Sequence, residues 1–215
     1  MKKKQKEVFL KNEGNAWFER NHNKKVKVGL KDPIVWAISK CLERKSTKKK
    51  SLLEIGCGEA KRLHWISKNF NFQCYGVEPS EKATTLANSK NVKVIKGTAD
   101  LLDFEKKKFD FVVFGFCLYL CDRSDLFQIA KEADRVLKNN GYLIILDFYS
   151  TKYTKNKYSH LPGIFSYKMD YRKLFDWHPS YSCFYHKVSA HAKNDSLDDE
   201  NNLVATSVFK KKIYK

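Results

Sequence analysis

The feature that most constrains this chain is a glycine turn between an apolar run and a helical pattern, within residues 51–69. The apolar run ends at Gly56, Gly58 follows two positions later, and Leu63 and Ile66 then recur at helical spacing. This order predicts a buried strand, a tight turn and a helix. Glycine has no Cβ, so a ligand can approach the backbone there, and the free N–H groups at the helix start favour an anionic group.

Strand-like and helix-like segments alternate after residue 51 and are joined by short connections. The runs 112–114 and 143–146 are continuously apolar, as strands covered on both faces require. This alternation predicts one α/β domain with a doubly wound, parallel sheet. The expected strands are 51–56, 73–78, 92–97, 109–116, 142–148, 182–191 and 203–212, and the expected helices are 32–44, 60–69, 80–89 and 122–138, the last with a left-handed cap at 139–141.

The residues around the glycine turn distinguish between two cofactor classes that use such a turn. A dinucleotide fingerprint needs a third glycine where Lys61 stands, which argues against an NAD-dependent reductase. An acidic residue, Glu54, instead precedes the first glycine, and a second one, Glu78, ends the next strand. The motif Glu54-x-Gly56-x-Gly58 resembles the glycine motif of class I S-adenosylmethionine (SAM) dependent methyltransferases.

Four further motifs extend this resemblance over residues 51–148, in the order of that family: Glu78 and the segments 98–100, 109–119 and 132–141. The resemblance implies SAM as the cofactor and a seven-stranded, Rossmann-like sheet, mostly parallel, with an antiparallel C-terminal hairpin. It also implies that Glu78 binds the ribose hydroxyls and that Asp100 faces the adenine, although either carboxylate also suits a helix cap. The implied cofactor-binding residues are Glu54, Gly56, Cys57, Gly58, Glu78, Pro79, Ala99, Asp100, Phe116 and Cys117, with Val77 and Leu101 or Leu102 on the two faces of the adenine ring.

The same resemblance divides residues 1–215, as a single methyltransferase domain, into four parts. Residues 1–45 are expected to form N-terminal cap helices and residues 51–148 the cofactor-binding core. Residues 149–181 are expected to form a lid over the acceptor, and residues 182–212 the terminal strand hairpin.

Methyl transfer is an in-line displacement, so the protein mainly has to align the acceptor with an activated methyl group. An alcohol acceptor also needs a base, whereas a phosphate oxygen or a tertiary amine does not. Many relatives carry a histidine where Tyr119 stands, so Tyr119 is expected to be a pocket wall or a hydroxyl donor. The candidate bases are His160, which is the first choice, and then Asp147, His22 and His178.

The acceptor is expected to lie between residues 149–181 and 12–22, because both segments combine aromatic and polar side chains outside the alternating pattern. Tyr167 and Tyr171 have the spacing of one helical face, and Lys168 or Arg172 is expected to hold an anionic group. The segment 13–21 resembles the opening of small bacterial methyltransferases associated with sugar or surface-polysaccharide gene sets. We therefore expect a small anionic acceptor, such as a nucleotide sugar or surface-polysaccharide precursor, bound by Trp17, Arg20, Tyr167, Lys168 and Tyr171.

The formal net charge of +18 raises the alternative of an RNA or other nucleic-acid methyltransferase. Only six of the 42 basic residues are arginine, the residue expected where phosphates or base edges are bound bidentately. We therefore expect no nucleic-acid partner. A non-catalytic SAM-binding protein that kept the fold is the other alternative.

The remaining composition indicates the cellular setting. The six cysteines include no Cys-x-x-Cys pair, and no acidic and histidine cluster has ligand spacing, so neither a disulfide framework nor a metal site is expected. No window approaches the roughly 18 apolar residues needed to span a bilayer. The expected location is the cytoplasm, and the oligomeric state stays open.

Overall fold

The computed structural model describes residues 4–23, 28–42, 48–88, 92–191, 196–197 and 199–213. Its strands, in chain order, are β1 (Lys50–Ile55), β2 (Phe72–Glu78), β3 (Val92–Lys96), β4 (Phe109–Gly115), β5 (Leu137–Phe148), β6 (Thr154–Lys157), β7 (Phe165–Lys168), β8 (Tyr181–Ala190) and β9 (Leu203–Lys211). The helices are α1 (Gln5–Val8), α2 (Gly14–Asn21), α3 (Pro33–Cys41), α4 (Lys61–Asn69), α5 (Glu81–Ala87) and α6 (Leu126–Val136), and a π-helical turn, Phe9–Glu13, joins α1 to α2.

Seven of the strands form one sheet in the order β3-β2-β1-β4-β5-β9-β8, which confirms the predicted fold class. The pairs β1–β2, β2–β3, β1–β4 and β4–β5 are parallel. Strand β9 is antiparallel to both β5 and β8, so β8 runs in the same direction as β5. The carboxyl ends of β1 to β5 and of β8 therefore lie at one edge of the sheet.

Alternate residues of β4 divide the apolar interior into two layers. Phe111 and Val113 pack with α3 and α4 on one face, whereas Val112 and Phe114 pack with α6 on the other. Burial of both faces explains why this strand is apolar throughout.

Helix α3 begins where the sequence predicts. The Asp32 carboxylate accepts the N–H groups of Ile34 and Val35 at 2.9 and 3.1 Å, and Pro33 occupies the first helical position. The helix ends at Cys41, and the predicted extension to residue 44 runs into residues 43–47, outside the described part of the chain.

The predicted boundary between the last long helix and β5 is wrong. Helix α6 ends at Val136, and β5 begins at once at Leu137. Asn140 has the expected left-handed conformation, with φ of 60°, but it lies in an irregularity of β5 and does not cap the helix. The β4–β5 register jumps there by several residues on the β5 side, so the left-handed residue accommodates a strand bulge.

Residues 149–181 form a hairpin and a short turn. Strands β6 and β7 pair antiparallel with each other, and a single 3₁₀ turn follows at Tyr171–Leu174. The expected helical face of Tyr167 and Tyr171 is therefore wrong, because Tyr167 lies in a paired strand.

Candidate functional site

The glycine turn after β1 brings that strand against the loop after β4. Gly56 has a φ of 74°, and a Cβ on it would lie 2.5 Å from Cys117 Cβ, so the two loops touch only because this side chain is absent. Gly58 has a φ of 53°, but a Cβ there would meet nothing within 4 Å. The backbone at Gly58 thus borders open space.

Glu78 ties this turn to the start of α5. Its carboxylate accepts the N–H of Gly58 at 2.9 Å and the N–H of Ser80 at 3.0 Å. Burial raises the pKa of Glu78 above its ordinary value, although these two donors act in the opposite direction. The capping arrangement is present, and the carboxylate also lines the first of two adjoining cavities.

Glu54 belongs to a buried charged group that the sequence analysis left out. One carboxylate oxygen contacts Arg62, whose Nε lies 3.0 Å from an oxygen of Asp32. The other oxygen of Glu54 is buried and has no hydrogen-bond partner among the described residues. Burial raises the pKa of Glu54 to about 7 against the lowering effect of Arg62. An orphaned acceptor of this kind suits a cationic group of a ligand, such as an amino acid ammonium.

The first cavity lies between the carboxyl edge of the sheet and the N-terminal helices, and it contains about 780 Å³ of empty space. Its walls combine apolar side chains with the carboxylates of Glu78 and Asp100, a combination that suits a purine nucleoside. The pKa of Asp100 lies below its ordinary value, because hydrogen bonds with Lys6 and Thr98 lower it more than partial burial raises it. The lining residues include Lys6, Phe9, Gly56, Val77, Glu78, Pro79, Ala99, Asp100, Phe116, Cys117 and Ile129.

The expected adenine sandwich is only half present. Val77 lines the first cavity, but Leu101 is 73% exposed and Leu102 is buried in the core, and neither borders the cavity. Ile129 of α6 is a buried apolar residue that does line the cavity. Residues 98 and 101 form an isolated bridge that turns the chain here, which the motif alone does not reveal.

The second cavity is wider, with about 1950 Å³ of empty space that opens to solvent. Trp17, Gly56 and Phe116 line both cavities and form the wall that they share. Glu54, Cys57 and Gly58 line only the second, so all ten residues expected to bind the cofactor border one cavity or the other.

Aromatic rings form the inner wall of the second cavity. The Phe148 ring lies 4.9 Å from that of Tyr119, 5.0 Å from that of His191 and 5.5 Å from that of Phe116. The Lys168 ammonium lies 5.5 Å from the same Phe148 ring and contacts the Asn201 carbonyl. Partial burial lowers the pKa of Lys168. This part of the cavity offers flat apolar surface beside a cation.

The three residues expected to act in catalysis have different positions. His160 is exposed and lines the second cavity. Tyr119 also lines this cavity, and burial raises the pKa of its hydroxyl. Asp147 lines neither cavity, and its carboxylate accepts the N–H groups of Cys117, Leu118 and Phe148 at 2.8–3.1 Å. This placement contradicts the expectation that Asp147 is a base, because its oxygens hold the loop after β4 and do not face an acceptor.

The five residues expected to bind the acceptor also separate. Trp17 and Lys168 line the second cavity. Arg20 borders neither cavity, and it pairs with Glu13 and with the Tyr158 hydroxyl. Tyr167 and Tyr171, which are 8% and 4% exposed, pack into the interior, and the Tyr171 hydroxyl donates to the Tyr167 carbonyl at 3.0 Å. Arg172, which was expected as an alternative to Lys168 for holding an anionic group, instead forms an ion pair with Asp170 at 2.6 Å.

Several site residues escaped the sequence analysis. For His191 a signal was available, because it follows β8, whose carboxyl end shares the functional edge with β5. For Lys6 and Arg62 the sequence carries no motif. The unexpected residues are Lys6, Phe9 and Ile129 in the first cavity and Arg62, Asn156, Lys157, His191, Asn201 and Asn202 in the second.

Among the residues that the structure describes, no three or more His, Cys, Asp or Glu side chains are grouped so that they could hold a metal ion. Within the same residues, no helix has both the length and the apolar character to cross a membrane.

Comparison with known proteins decides the nature of the fold. A family model described as a methyltransferase domain matches residues 53–145. Residues 53–145 therefore have the sequence of a class I SAM-dependent methyltransferase domain. The match ends at β5 and includes the glycine turn, Glu78 and Asp100.

Two curated relatives resemble part of this methyltransferase domain. Protein MJ1123 of Methanocaldococcus jannaschii is 32% identical over 93 residues, which cover 43% of this chain and 42% of the relative. The methyltransferase YcgJ of Bacillus subtilis is 29% identical over 107 residues, which cover 46% and 41%. The chain therefore spans about two fifths of the length of these relatives.

A solved structure resembles nearly the whole chain. The 1,6-didemethyltoxoflavin-N1-methyltransferase of Burkholderia thailandensis, with bound 1,6-didemethyltoxoflavin and S-adenosylhomocysteine (SAH), has a TM-score of 0.73 at 11% identity. The similarity covers 96% of this chain and 89% of that one. At this identity it shows the fold alone.

Proposed function

We propose that this methyltransferase domain transfers a methyl group from SAM to a small anionic acceptor held in the second cavity. The observation that carries the proposal is the pair of adjoining cavities, which share a wall of Trp17, Gly56 and Phe116. A cofactor that extends from the first cavity past this wall brings its methyl group to the end of an acceptor in the second cavity, which is what an in-line displacement requires.

The first cavity suits the adenosine part of SAM, and the adjoining end of the second suits the methionyl part. Glu78 and Asp100 are the acceptors available to ribose hydroxyls and to the adenine amino group, respectively. The unpartnered oxygen of Glu54 and the open backbone at Gly58 fit the methionyl ammonium and carboxylate. When bound, SAM supplies a methyl group on a positively charged sulfur.

The acceptor end of the second cavity favours an anion. Lys168 and Lys157 line it, whereas the acids that line the same cavity lie at its other end and are paired with Arg62 or Lys61. Flat rings beside a cation suit a sugar or heterocycle that carries phosphate or carboxylate. A nucleotide sugar or a surface-polysaccharide precursor has this chemistry, and the six free cysteines suit a reducing compartment such as the cytoplasm.

His160 remains the proposed general base for an alcohol acceptor, because it lines the second cavity and is accessible. His191 is a second candidate, since its ring lies 5.5 Å from that of Phe116 in the shared wall. Tyr119 is proposed as a wall residue that also presents a hydroxyl.

The cofactor half of the proposal is tested by calorimetry with SAH. The purified protein should bind one SAH per chain, and Glu78→Ala should weaken binding by about 1.5–3 kcal/mol, as expected when charge-assisted hydrogen bonds are lost. Glu81→Ala is the matched control, because Glu81 lies nearby on α5 and is 70% exposed on its side chain. Thermal unfolding separates lost affinity from lost structure, and tight NADH binding without SAH binding would overturn the assignment.

The acceptor half is tested by incubating the protein and SAM with a set of phosphorylated and nucleotide-linked sugars. Mass spectrometry should detect an added mass of one methylene unit on one class of anionic sugar, and the Glu78→Ala variant should give far less product. Methylation of only uncharged compounds, or of none while SAH still binds, would contradict the proposed acceptor class.

A further inference from the structure

The N-terminal segment Lys4–Asn21, called here the strap, closes the first cavity on the side opposite the sheet. Lys6, Phe9, Gly14 and Trp17 of the strap line the cavity. The strap consists of α1, the π-helical turn and α2, and part of it was expected to contact the acceptor. Its first turn instead lies over the position proposed for the adenine.

A cluster of opposite charges holds the first turn of the strap in place. The Lys6 ammonium contacts Asp100 and lies 2.7 Å from an oxygen of Asp125, and the Lys4 ammonium lies 2.9 Å from the other oxygen of Asp125. The N–H groups of residues 5 and 6 both donate to the Asp122 carboxylate at 3.0 Å. Three carboxylates from the carboxyl edge of the sheet and the α6 start thus bind one short segment.

Two further contacts attach the strap to both halves of the site. The Gln5 side chain donates to the Leu120 and Phe165 carbonyls at 2.8 and 3.0 Å and accepts the Phe165 N–H at 2.8 Å. At the other end, the Asn15 side chain accepts the Ser80 hydroxyl at 2.8 Å and the N–H of residue 82. The α2 end is therefore fixed to the start of α5 by neutral hydrogen bonds, whereas the α1 end combines the hydrogen bonds of Gln5 with the ion pairs of Lys4 and Lys6.

The pairing of Lys6 with Asp100 has a chemical consequence at the cavity. The amidine edge of adenine presents an amino donor next to a ring-nitrogen acceptor. A carboxylate and an ammonium side by side complement both groups, whereas a carboxylate alone complements only the donor. Lys6 of the strap thus adds a hydrogen-bond donor beside Asp100, the acid that the family resemblance places at the adenine.

Resting on the proposed function, we propose that Lys6 is a cofactor-binding residue and that the charged end of the strap is the gate through which SAM and SAH exchange. The bound cofactor and the closed strap stabilise each other, because one side chain takes part in both. Lys6 lines the first cavity at the position proposed for the adenine, and it also contacts the carboxylates that hold α1. Release requires the contacts of Lys6 with Asp100 and Asp125 to break. Salt screens such partly exposed pairs, so it should speed release.

The test is the rate of SAH dissociation, followed by stopped-flow tryptophan fluorescence after mixing with excess SAM, together with SAH affinity by calorimetry. Lys6→Met keeps the length of the side chain and removes the charge, and it should speed dissociation at least tenfold and weaken affinity by about the same factor. Raising NaCl from 50 to 500 mM should speed dissociation from the wild type severalfold, and much less from Lys6→Met. Lys11→Met is the matched control, since Lys11 is exposed on the same strap, and it should stay within twofold of the wild type.

Asp125→Asn opens the same cluster from the other side. It should also speed SAH dissociation, and combined with Lys6→Met it should add little further, because both remove one shared contact. Equal dissociation rates in wild type, Lys6→Met and Asp125→Asn, with all three folded by circular dichroism, would overturn the gate and leave the proposed cofactor site intact. Absence of SAH binding to the wild type would instead overturn the proposed function itself.

Discussion

Asp147 shows at the scale of one residue how burial and hydrogen bonding oppose each other. It is the penultimate residue of β5, is 2% exposed, and its carboxylate accepts three backbone N–H groups. Burial raises its pKa to about 7, although the three donors act to lower it. The carboxylate holds the loop that carries Phe116 and Cys117, so its protonation state bears on the wall shared by the two cavities.

The raised pKa predicts the pH dependence of stability. In the unfolded chain Asp147 ionises near pH 4, whereas in the folded protein it holds its proton until about pH 7. Its contribution to the unfolding free energy should therefore be fully present below pH 4, fall by up to a few kcal/mol between pH 4 and 7, and stay level above pH 7.

Urea unfolding of the wild type and of Asp147→Asn at half-unit steps from pH 4 to 8 measures this contribution as a difference. The difference between wild type and variant should decline with pH up to about 7. A difference that grows with pH would mean that the three N–H donors outweigh burial and that the pKa is lowered.

Single residues also mark the limit of sequence reasoning. The positions of Gly56, Gly58 and Glu78 at the cavities were predictable because they follow from local turn geometry and strand ends. Arg62 and the first turn of the strap were not, because their partners lie 8 to 121 positions away and meet them only through folding.

At the scale of elements, the β6–β7 hairpin and the segment after β8 line the part of the second cavity that we propose for the acceptor. Residues 156–160, Ser166 and Lys168 come from the hairpin and its loop, and His191 follows β8. These elements lie outside residues 53–145, the part matched by the family model. Under the proposed function, recognition of the acceptor therefore depends on segments outside the part that the family model matches.

His160, in the loop of the β6–β7 hairpin, is the histidine that we expect to remove the acceptor proton. Once an alcohol acceptor is identified, His160→Ala should leave SAH affinity within about threefold and lower turnover by roughly 10²–10⁴, the range for loss of a general base. His178→Ala is the control, because His178 lines neither cavity.

The same assay on His191→Ala separates the two candidates. Full turnover of His160→Ala with a large loss in His191→Ala would transfer the role to His191. Full turnover of both variants would contradict a histidine base altogether.

Elements differed in how well their sequences predicted them. The core strands were predictable because a continuous apolar run bounded by glycine or lysine fits few structures other than a buried strand. The β5 boundary was not, because Asn140 and Gly141 suit a helix cap and a strand bulge equally, and only pairing with β4 decides between them. The prediction that Tyr167 and Tyr171 share a helical face was wrong for a similar reason. Their spacing fits a helix, but pairing with β6 places Tyr167 in a strand.

At the scale of the whole molecule, the net charge of +18 does not require a nucleic-acid partner. Some of the lysines form ion pairs within the fold, as in the strap contacts with Asp100 and Asp125 and in the pair of Lys138 with Asp110. Lys157 and Lys168 line the second cavity, where their charge would steer the proposed anionic acceptor.

This distribution predicts weak RNA binding that depends strongly on salt. In fluorescence anisotropy, a generic RNA should bind only at low ionic strength, and binding should vanish near 150 mM NaCl, because counterion release alone drives it. Nanomolar, sequence-selective binding that survives about 200 mM NaCl would instead favour an RNA methyltransferase.

The wall shared by the two cavities has a consequence for steady-state kinetics. Trp17 belongs to the strap and also lines the acceptor cavity, so a strap that opens for cofactor exchange takes part of the acceptor site with it. The proposed gate and the proposed acceptor site together predict a compulsory order, in which SAM is the leading substrate and SAH the last product to leave. An acceptor in the second cavity would then hold the strap closed, and each turnover would be complete before the cofactor could exchange.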